Sequence, residues 1–192
     1  MRMDIDLIKL RLKEIMSEER FEHSVNVSRV ARKLALKYDY NVDKAEVAGL
    51  LHDCAKDLDC QILEKMVLEY DIKMDEIIQK IPKLLHPLVG AVIAEKEFNI
   101  KDSIILEAIR VHSTGTAHMS LLDKIIYLSD KIEPLRNDEG VEEVRKMVWK
   151  DLNKAVLMVL DKGLLYLISK GSLIHPVSIE ARNNILSKVV FA

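Results

Sequence analysis

Apolar residues recur along most of this chain at intervals of three and four, the spacing that places them on one face of an α-helix. No stretch has the sustained apolar–polar alternation of a half-buried strand, and the chain has only six glycines and four prolines. The pattern therefore predicts an all-α, single globular domain. The predicted helices span residues 4–16, 18–38, 44–58, 60–70, 74–80, 87–97, 102–113, 120–133, 140–169 and 179–189.

Polar residues and prolines mark several of the predicted helix ends. The starts carry capping or first-turn residues, namely Ser17, Asp43, Pro87 and Ser120. Asp43 is followed at the third position by Glu46, and Ser120 by an aspartate, which is the spacing of a capping box. Gly115 and Pro134 follow two of the predicted ends, where residues that cannot continue a helix are common.

The segment LLHDCAKDL, residues 50–58, places a histidine and an aspartate side by side within a predicted buried helix. An ionised carboxylate removed from water is unfavourable by several kcal/mol unless it is paired or bound to a metal. A hydrogen bond between His52 and Asp53 inside the core is one explanation. However, adjacent helix positions lie about 100° apart around the axis, so the two side chains cannot face each other squarely. They can both contact a third group, such as a metal ion.

Other histidines and one more aspartate occur on inward helix faces or near predicted helix ends. These are His23, His86, His112 and Asp130. His86 precedes a proline and is expected just before a helix. A single histidine on an apolar face is typical of a hydrogen-bonded core residue, but the whole set predicts a metal site. Imidazoles and carboxylates are ligands for iron, manganese and zinc, and a carboxylate such as Asp53 can bridge two ions.

Composition narrows the class of protein. The 192 residues are 49% hydrophobic and 31% charged, with a net charge of −2, so no global field attracts nucleic acid or an anionic membrane. The two cysteines, Cys54 and Cys60, form no disulfide framework. The first sixteen residues are charged throughout, unlike a signal peptide, and no run approaches the length of a membrane span. The expected location is the cytoplasm.

Six segments resemble a known enzyme family. They are RFEHS, LLHDCAKDL, HPLVGA, AIRVHSTG, LSDKIEPLR and IHPVSIEARN. In order and content they resemble the HD-domain phosphohydrolase superfamily and, more closely, the YqeK family of bacterial symmetrical diadenosine tetraphosphate hydrolases. The resemblance covers about residues 19–186, so residues 1–192 are expected to form one HD-type helical hydrolase domain. Ser113 and Ser129 stand where the family pattern leads us to expect threonine and alanine.

The resemblance implies a reaction and a set of ligands. Diadenosine tetraphosphate would be cut at its middle to two ADP by a water or hydroxide that bridges two metal ions. Iron is the metal implied, and manganese, cobalt and zinc fit the same ligand types. One ion would be held by His23, His52, Asp53 and Asp130, and the second by His86, His112 and the shared Asp53.

Further residues near the ligands are candidates for catalysis or substrate contact. Asp53 and Lys56 are assigned to catalysis, Lys56 for meeting a phosphate or protonating the leaving group. The candidates for substrate contact are Arg20, Lys56, Ser113, Thr114, Gly115, Arg136, His175, Arg182 and Asn183. Surface ion pairs with Asp57 or Glu133 explain Lys56 and Arg136 equally well.

Two other functions are compatible with the same residues. An HD-domain hydrolase could act on another nucleotide, such as a deoxynucleotide, a cyclic dinucleotide or a guanosine alarmone, because metal ligands do not encode the base. A regulator could bind a nucleotide or metal without turnover. An incomplete ligand set would favour the regulator, and none of the six ligand positions is missing. The expected partner is a dinucleoside polyphosphate or other nucleotide, and a homodimer is compatible with the sequence.

Overall fold

The computed structural model describes residues 4–190, and every regular element in that range is helical. The all-α prediction is confirmed. The α-helices are α1 (Ile5–Ile15), α2 (Glu18–Lys37), α3 (Val42–Leu51), α4 (Cys60–Glu69), α5 (Glu76–Lys80), α6 (Leu85–Lys96), α7 (Ser103–Val111), α8 (Leu121–Ile132), α9 (Val141–Met147), α10 (Leu152–Ser169) and α11 (Pro176–Val190). A short 3₁₀ helix, Pro82–Leu84, precedes α6. No helix within residues 4–190 is long and apolar enough to cross a membrane.

Side-chain caps define two helix starts as predicted. The Ser17 side chain accepts a hydrogen bond from the Arg20 amide at the start of α2. Ser120 and Asp123 form a reciprocal capping box at the start of α8. The predicted cap at Asp43 is wrong, since α3 starts earlier and Asn41 caps it. The Asn41 side-chain oxygen accepts a hydrogen bond from the Lys44 amide, and the Asn41 backbone is still extended.

Helix α3 ends seven residues before its predicted end, at Leu51, with His52 as its C-cap. The following chain forms tight turns instead of a helix. The Cys54 amide donates to the Leu51 carbonyl at 3.1 Å, and the Lys56 amide donates to the Asp53 carbonyl at 2.9 Å. These are three-residue turn bonds, so the chain bends directly after His52.

His86 was predicted to stand just before a helix, and this is wrong. It lies inside the first turn of α6, because the 3₁₀ helix Pro82–Leu84 runs directly into α6. Pro87 also lies in that first turn, where the amide that proline lacks would have no helical partner. Pro87 disfavours a helical backbone at His86, but the 3₁₀ helix Pro82–Leu84 has already set the helical course of the chain there.

The single helix predicted for residues 140–169 is two helices, α9 and α10, separated by a turn. Asp151 caps α10 by accepting a hydrogen bond from the Lys154 amide. A residue remote in sequence also stabilises the turn, because the Tyr38 hydroxyl donates a hydrogen bond to the carbonyl of the buried Val148. Helix α11 begins at Pro176, three residues before its predicted start.

The core lies between α2, α3, α7 and α8, with α1 and α11 packed against it. The largest fully buried side chains are Leu12, Leu34, Leu50, Leu51, Ile105, Ile109, Leu122, Ile125, Ile126, Leu128, Ile185 and His52. Only one of them is polar. A histidine in such surroundings requires a partner for each ring nitrogen, and this places His52 at the centre of the site described below.

A close approach between α3 and α2 depends on Gly49 of α3. A Cβ added at Gly49 would lie 2.7 Å from the backbone Cα of Ser28 in α2. We therefore expect Gly49→Ala to lower the free energy of unfolding by about 1–3 kcal/mol, because backbone must move to admit the methyl group.

Urea denaturation measures this difference. Gly163 of α10 supplies the matched control, since a Cβ there would meet nothing within 4 Å. Gly163→Ala should leave stability unchanged or raise it by up to about 1 kcal/mol. Equal stability of the Gly49→Ala protein and the unchanged protein would contradict this account of the α2–α3 contact.

Candidate metal centre

The structure brings all six predicted ligands into one buried cluster. The side chains come from five helices or from the residues directly after them, namely α2, α3, α6, α7 and α8. Each side chain stands at or near a helix end or on an inward face. The six residues are His23, His52, Asp53, His86, His112 and Asp130, and each is at most 7% exposed. Residues that lie more than a hundred positions apart in sequence therefore share one polar pocket inside an apolar core.

The cluster contains a first group of ligand atoms around Asp130. The Oδ1 atom of Asp130 lies 3.1 Å from His23 Nε2 and 3.7 Å from His52 Nε2. The two imidazole Nε2 atoms are 3.3 Å apart. These three side chains are close enough to share one ion.

A second group lies around the other pair of histidines. His86 Nε2 and His112 Nε2 are 3.2 Å apart, and they lie 3.2 Å and 3.3 Å from Oδ1 of Asp53. The other oxygen of Asp53, Oδ2, lies 3.7 Å from His52 Nε2 and 3.9 Å from His23 Nε2. Each oxygen of the Asp53 carboxylate thus faces a different pair of imidazoles.

Backbone carbonyls orient three of the four imidazoles in the same way. Nδ1 of His52, His86 and His112 donates to the carbonyl three residues earlier, at 2.8 Å, 2.6 Å and 2.7 Å. A neutral imidazole that carries its proton on Nδ1 has a lone pair on Nε2. All three Nε2 lone pairs therefore point into the cluster, as metal-binding histidines require.

The cluster fits a bound cation and is poorly suited to being a simple hydrogen-bonded core. Oδ1 of Asp53 is buried and has no hydrogen-bond partner among the described residues. It faces two Nε2 atoms that cannot donate to it while their rings donate through Nδ1. Lone pairs that converge without a shared proton repel one another, and a divalent cation removes that repulsion.

Burial and charge set the protonation of these groups. Burial lowers the pKa of His86 to about 4, against an opposing contact with Asp53, and it also lowers the pKa of His112. Both rings are therefore neutral near pH 7. Burial opposes protonation of His52, but the negative charges of Asp53 and Asp130 outweigh this effect. The pKa of His52 is therefore raised above its ordinary value. Burial opposes ionisation of Asp130, yet Lys131 and His23 hold its pKa well below the ordinary value.

Basic side chains surround the acidic ligands. Arg20 Nη1 lies 2.8 Å from Asp53 Oδ2, and Arg136 Nη2 lies 2.8 Å from Asp130 Oδ1. Arg136 Nε also lies 3.9 Å from Glu133 Oε1, which is the ion pair considered for this residue from the sequence. Arg20 Nε lies 3.5 Å from Asp57.

Lys56 lies over the second group of ligands. Its Nζ is 3.1 Å from His86 Nε2, and no ion pair joins it to Asp57 among the described residues. Loss of hydration lowers the pKa of Lys56, while Asp53 and Asp130 oppose that change. The bend after α3, rather than a continuing helix, places this ammonium group beside the cluster.

The loop after α7 reaches the cluster at Ser113. Ser113 Oγ lies 3.1 Å from His112 Nε2 and 3.4 Å from His86 Nε2. Gly115 has a φ of +70°, a conformation that glycine adopts without strain. The Thr114 carbonyl accepts a hydrogen bond from Ser178 of α11, which ties the loop to the C-terminal segment.

The three C-terminal candidates lie away from the cluster. His175 Nε2 is 2.7 Å from Asp75 Oδ2, and both residues line a cavity of about 170 Å³ together with Thr114 and Gly115. Arg182 Nε lies 2.8 Å from Asp161 of α10, and its Nη1 donates to Asn183. Their roles in binding remain predictions.

Glu133 was not predicted as part of this site. It is 2% exposed, and its Oε1 atom accepts a hydrogen bond from Nδ1 of His23 at 3.2 Å. His23 is thus the one ligand histidine that a carboxylate, not a backbone carbonyl, orients. The signal was present, since Glu133 follows Asp130 by three residues and shares its helix side. Lys131, whose Nζ lies 2.6 Å from Asp130, was missed as well.

Comparison with known proteins agrees with this geometry. The HD domain family matches residues 20–135, more than half of the chain. The chain is 37% identical to the symmetrical bis(5'-nucleosyl)-tetraphosphatase of Halalkalibacterium halodurans, over 91% of this chain and 93% of that protein. It is 34% identical to the protein of that name from Staphylococcus aureus, over 94% of each.

A solved structure shares the fold. It is described as a predicted HD superfamily hydrolase involved in NAD metabolism from Clostridium acetobutylicum. It is 40% identical in sequence, with a TM-score of 0.93 over 96% of this chain and 98% of that one. The single HD-domain helical fold is therefore confirmed.

These findings define the class first. The chain is an HD-domain protein, and the family match together with the buried histidine and aspartate groups indicates a divalent-metal site. Within that class it belongs to the family of symmetrical bis(5'-nucleosyl)-tetraphosphatases, since its relatives of that name align over nearly their whole length.

Proposed function

We propose that this protein hydrolyses diadenosine tetraphosphate symmetrically, using one water to give two ADP. The observation that carries the proposal is the Asp53 carboxylate, whose two oxygens face two separate pairs of imidazoles. Relatives whose names state this activity, at 34–37% identity, support the choice of reaction. Other nucleotides remain the alternative substrates.

The proposed ligands form two overlapping sets. His23, His52, Asp53 and Asp130 would hold one ion, and His86, His112 and Asp53 the other. A donor set of imidazoles and carboxylates without thiolate fits iron, and it also fits manganese, cobalt or zinc. When bound, such ions would lower the pKa of a coordinated water and neutralise charge on phosphate oxygens.

The protein side chains have distinct tasks in this reaction. Arg20 and Arg136 each donate to one acidic ligand, which fixes the orientation of the two carboxylates. Lys56 presents a positive charge beside His86, where it can contact a phosphate oxygen or give a proton to the leaving ADP. Ser113 places a hydroxyl beside the second group of ligands. The buried helices exclude bulk water from one side of the centre.

The substrate's first nucleotide is proposed to lie toward Thr114, Gly115 and His175. These residues line one cavity, and the positive φ of Gly115 brings backbone close to a bound group. We propose that Arg182 and Asn183 contact the same nucleotide from farther away. Both cysteines are free thiols, which is consistent with the cytoplasm as the proposed location.

Product analysis tests the function. The purified protein, loaded with iron, manganese or cobalt, is incubated with diadenosine tetraphosphate, and the nucleotides are separated by ion-exchange chromatography. ADP as the only product is expected. AMP with ATP, or no turnover with any of the three metals, would reject the proposal. A panel of deoxynucleoside triphosphates, cyclic dinucleotides and guanosine tetraphosphate distinguishes the alternative substrates.

Replacing Glu133 tests whether its charge supports the first group of ligands. A carboxylate that accepts from the outer nitrogen of a ligating histidine raises the basicity of that ring. Glu133→Gln keeps a hydrogen-bond acceptor for His23 but removes the charge. We expect roughly 10–100-fold weaker binding of one of the two metal ions.

Chelator competition with metal analysis measures this affinity. Glu139→Gln changes an exposed glutamate outside the cluster and should leave both ions unaffected. Unchanged affinity of both ions in Glu133→Gln would show that His23 needs only a hydrogen-bond acceptor, whatever its charge.

A further inference from the structure

A second, larger cavity adjoins the candidate metal centre, and no residue role assigned so far accounts for it. Its volume is about 490 Å³, within the range of small-molecule sites. Residues of α8, of the segment 136–144 and of α10 line it, so we call it the α10 cavity. Ser113 lines the α10 cavity, while Thr114 and Gly115 line the smaller cavity near His175. The loop after α7 therefore separates the two.

The inner end of the α10 cavity borders the candidate metal centre through residues that contact the proposed ligands. Ser113, which lines the cavity, has its hydroxyl 3.1 Å from His112 Nε2. Lys131 and Arg136, also lining residues, lie 2.6 Å and 2.8 Å from the two oxygens of Asp130. This end therefore presents cationic groups next to the ligands, a surface suited to phosphate.

The rest of the lining is mainly apolar and aromatic. Val144, Val159 and Leu167 contribute aliphatic surface, and the ring of Tyr166 is 60% exposed. Gly163, one helical turn before Leu167, also lines the cavity, and a Cβ added there would meet no atom within 4 Å. An exposed tyrosine beside open space offers a flat surface on which a purine base can stack.

We propose that the α10 cavity binds the second nucleoside of a dinucleoside polyphosphate, with Tyr166 stacked against its base. This inference rests on the proposed function and adds to it a structural reason for choosing a dinucleotide over a mononucleotide. Phosphates that extend from the metal centre past Lys131 and Arg136 lead into the cavity, whose apolar part then receives the nucleoside. Gly163 keeps the space for the base open.

The decisive variant is Gly163→Leu, which fills the cavity with a side chain that also favours the helix. Gly163→Ala is the matched control, since it makes the same backbone change without filling the space. Two substrates are compared, diadenosine tetraphosphate and adenosine 5'-tetraphosphate, which lacks the second nucleoside. We expect Gly163→Leu to lower kcat/KM for the dinucleotide by roughly ten- to a hundredfold, mainly through KM, and to leave the mononucleotide unaffected.

Tyr166 supplies an independent variant whose side chain is exposed, so folding should be unaffected. Tyr166→Ala should raise KM for the dinucleotide by roughly tenfold, whereas Tyr166→Phe retains the ring and should behave as the unchanged protein. Both outcomes together assign stacking and exclude a role for the hydroxyl.

Four outcomes would overturn the inference. Equal losses for the two substrates in Gly163→Leu would show a general disturbance of the site. Unchanged kinetics with an altered sedimentation coefficient would show that the α10 cavity is a contact between subunits. An unchanged protein that produces no ADP would reject the proposed function and this inference together, whereas an active protein with a fully active Gly163→Leu variant rejects the inference alone.

Discussion

Asp53→Ala is expected to abolish binding of both metal ions and to lower turnover by roughly 10³-fold or more. Its two carboxylate oxygens face different ligand pairs, with Oδ1 3.2 Å from His86 Nε2 and Oδ2 3.7 Å from His52 Nε2. Truncation therefore removes a ligand atom from both proposed ions at once. Elemental analysis of the purified variant, with turnover of diadenosine tetraphosphate, measures both effects.

Two further variants make the result for Asp53 specific. Asp59→Ala removes an exposed acid that caps nothing with its side chain, and it should retain full metal content. Asp130→Ala affects the first ligand group only and should retain one ion. A shared carboxylate is refuted if Asp53→Ala keeps one ion in full, or if Asp130→Ala loses both.

Local sequence patterns were sufficient for most of the helices but not for the break between α9 and α10. Residues 141–162 contain no glycine or proline, so the helical periodicity alone favours one continuous helix. The break depends on a contact from far away, the Tyr38 hydroxyl on the Val148 carbonyl, and on the cap at Asp151. The cap is visible in the sequence, but only the distant contact decides that it is used.

The six residues that cluster in the fold could be singled out from the sequence because each carries a local signature. The histidines and aspartates stand on inward faces or at helix ends, and their order resembles a known family. The groups that orient these imidazoles carry no such local signature next to the histidines in the sequence. His52, His86 and His112 use backbone carbonyls, which depend on where a helix ends, and His23 uses a residue 110 positions away.

Helix ends also explain why this cluster suits cations. His52 and His112 are the C-caps of α3 and α7, so the carbonyl ends of both helices approach the ligands. The partial negative charge at a helix C-terminus stabilises a nearby cation. The same backbone geometry therefore orients the imidazoles and would add a favourable field for the proposed metal ions.

Lys56→Ala is expected to reduce kcat by roughly 10²–10³-fold while both metal ions remain bound. Lys56 Nζ lies 3.1 Å from His86 Nε2 yet belongs to neither set of metal ligands. A positive charge at this position can stabilise charge that develops on phosphate oxygens during cleavage, and that stabilisation is larger in the transition state than in the bound substrate. The loss should therefore appear in kcat more than in KM.

Comparison with Lys65→Ala and Lys56→Arg separates charge from position. Lys65 is an exposed lysine of α4, outside the cluster, so its removal should leave kcat unchanged. Lys56→Arg retains the charge on a larger planar group and should recover part of the rate, because the guanidinium cannot occupy the same point as the ammonium. If Lys56→Ala retains full kcat, the ammonium group contributes only a surface charge. If it loses metal, Lys56 acts on the ligands and not on the substrate.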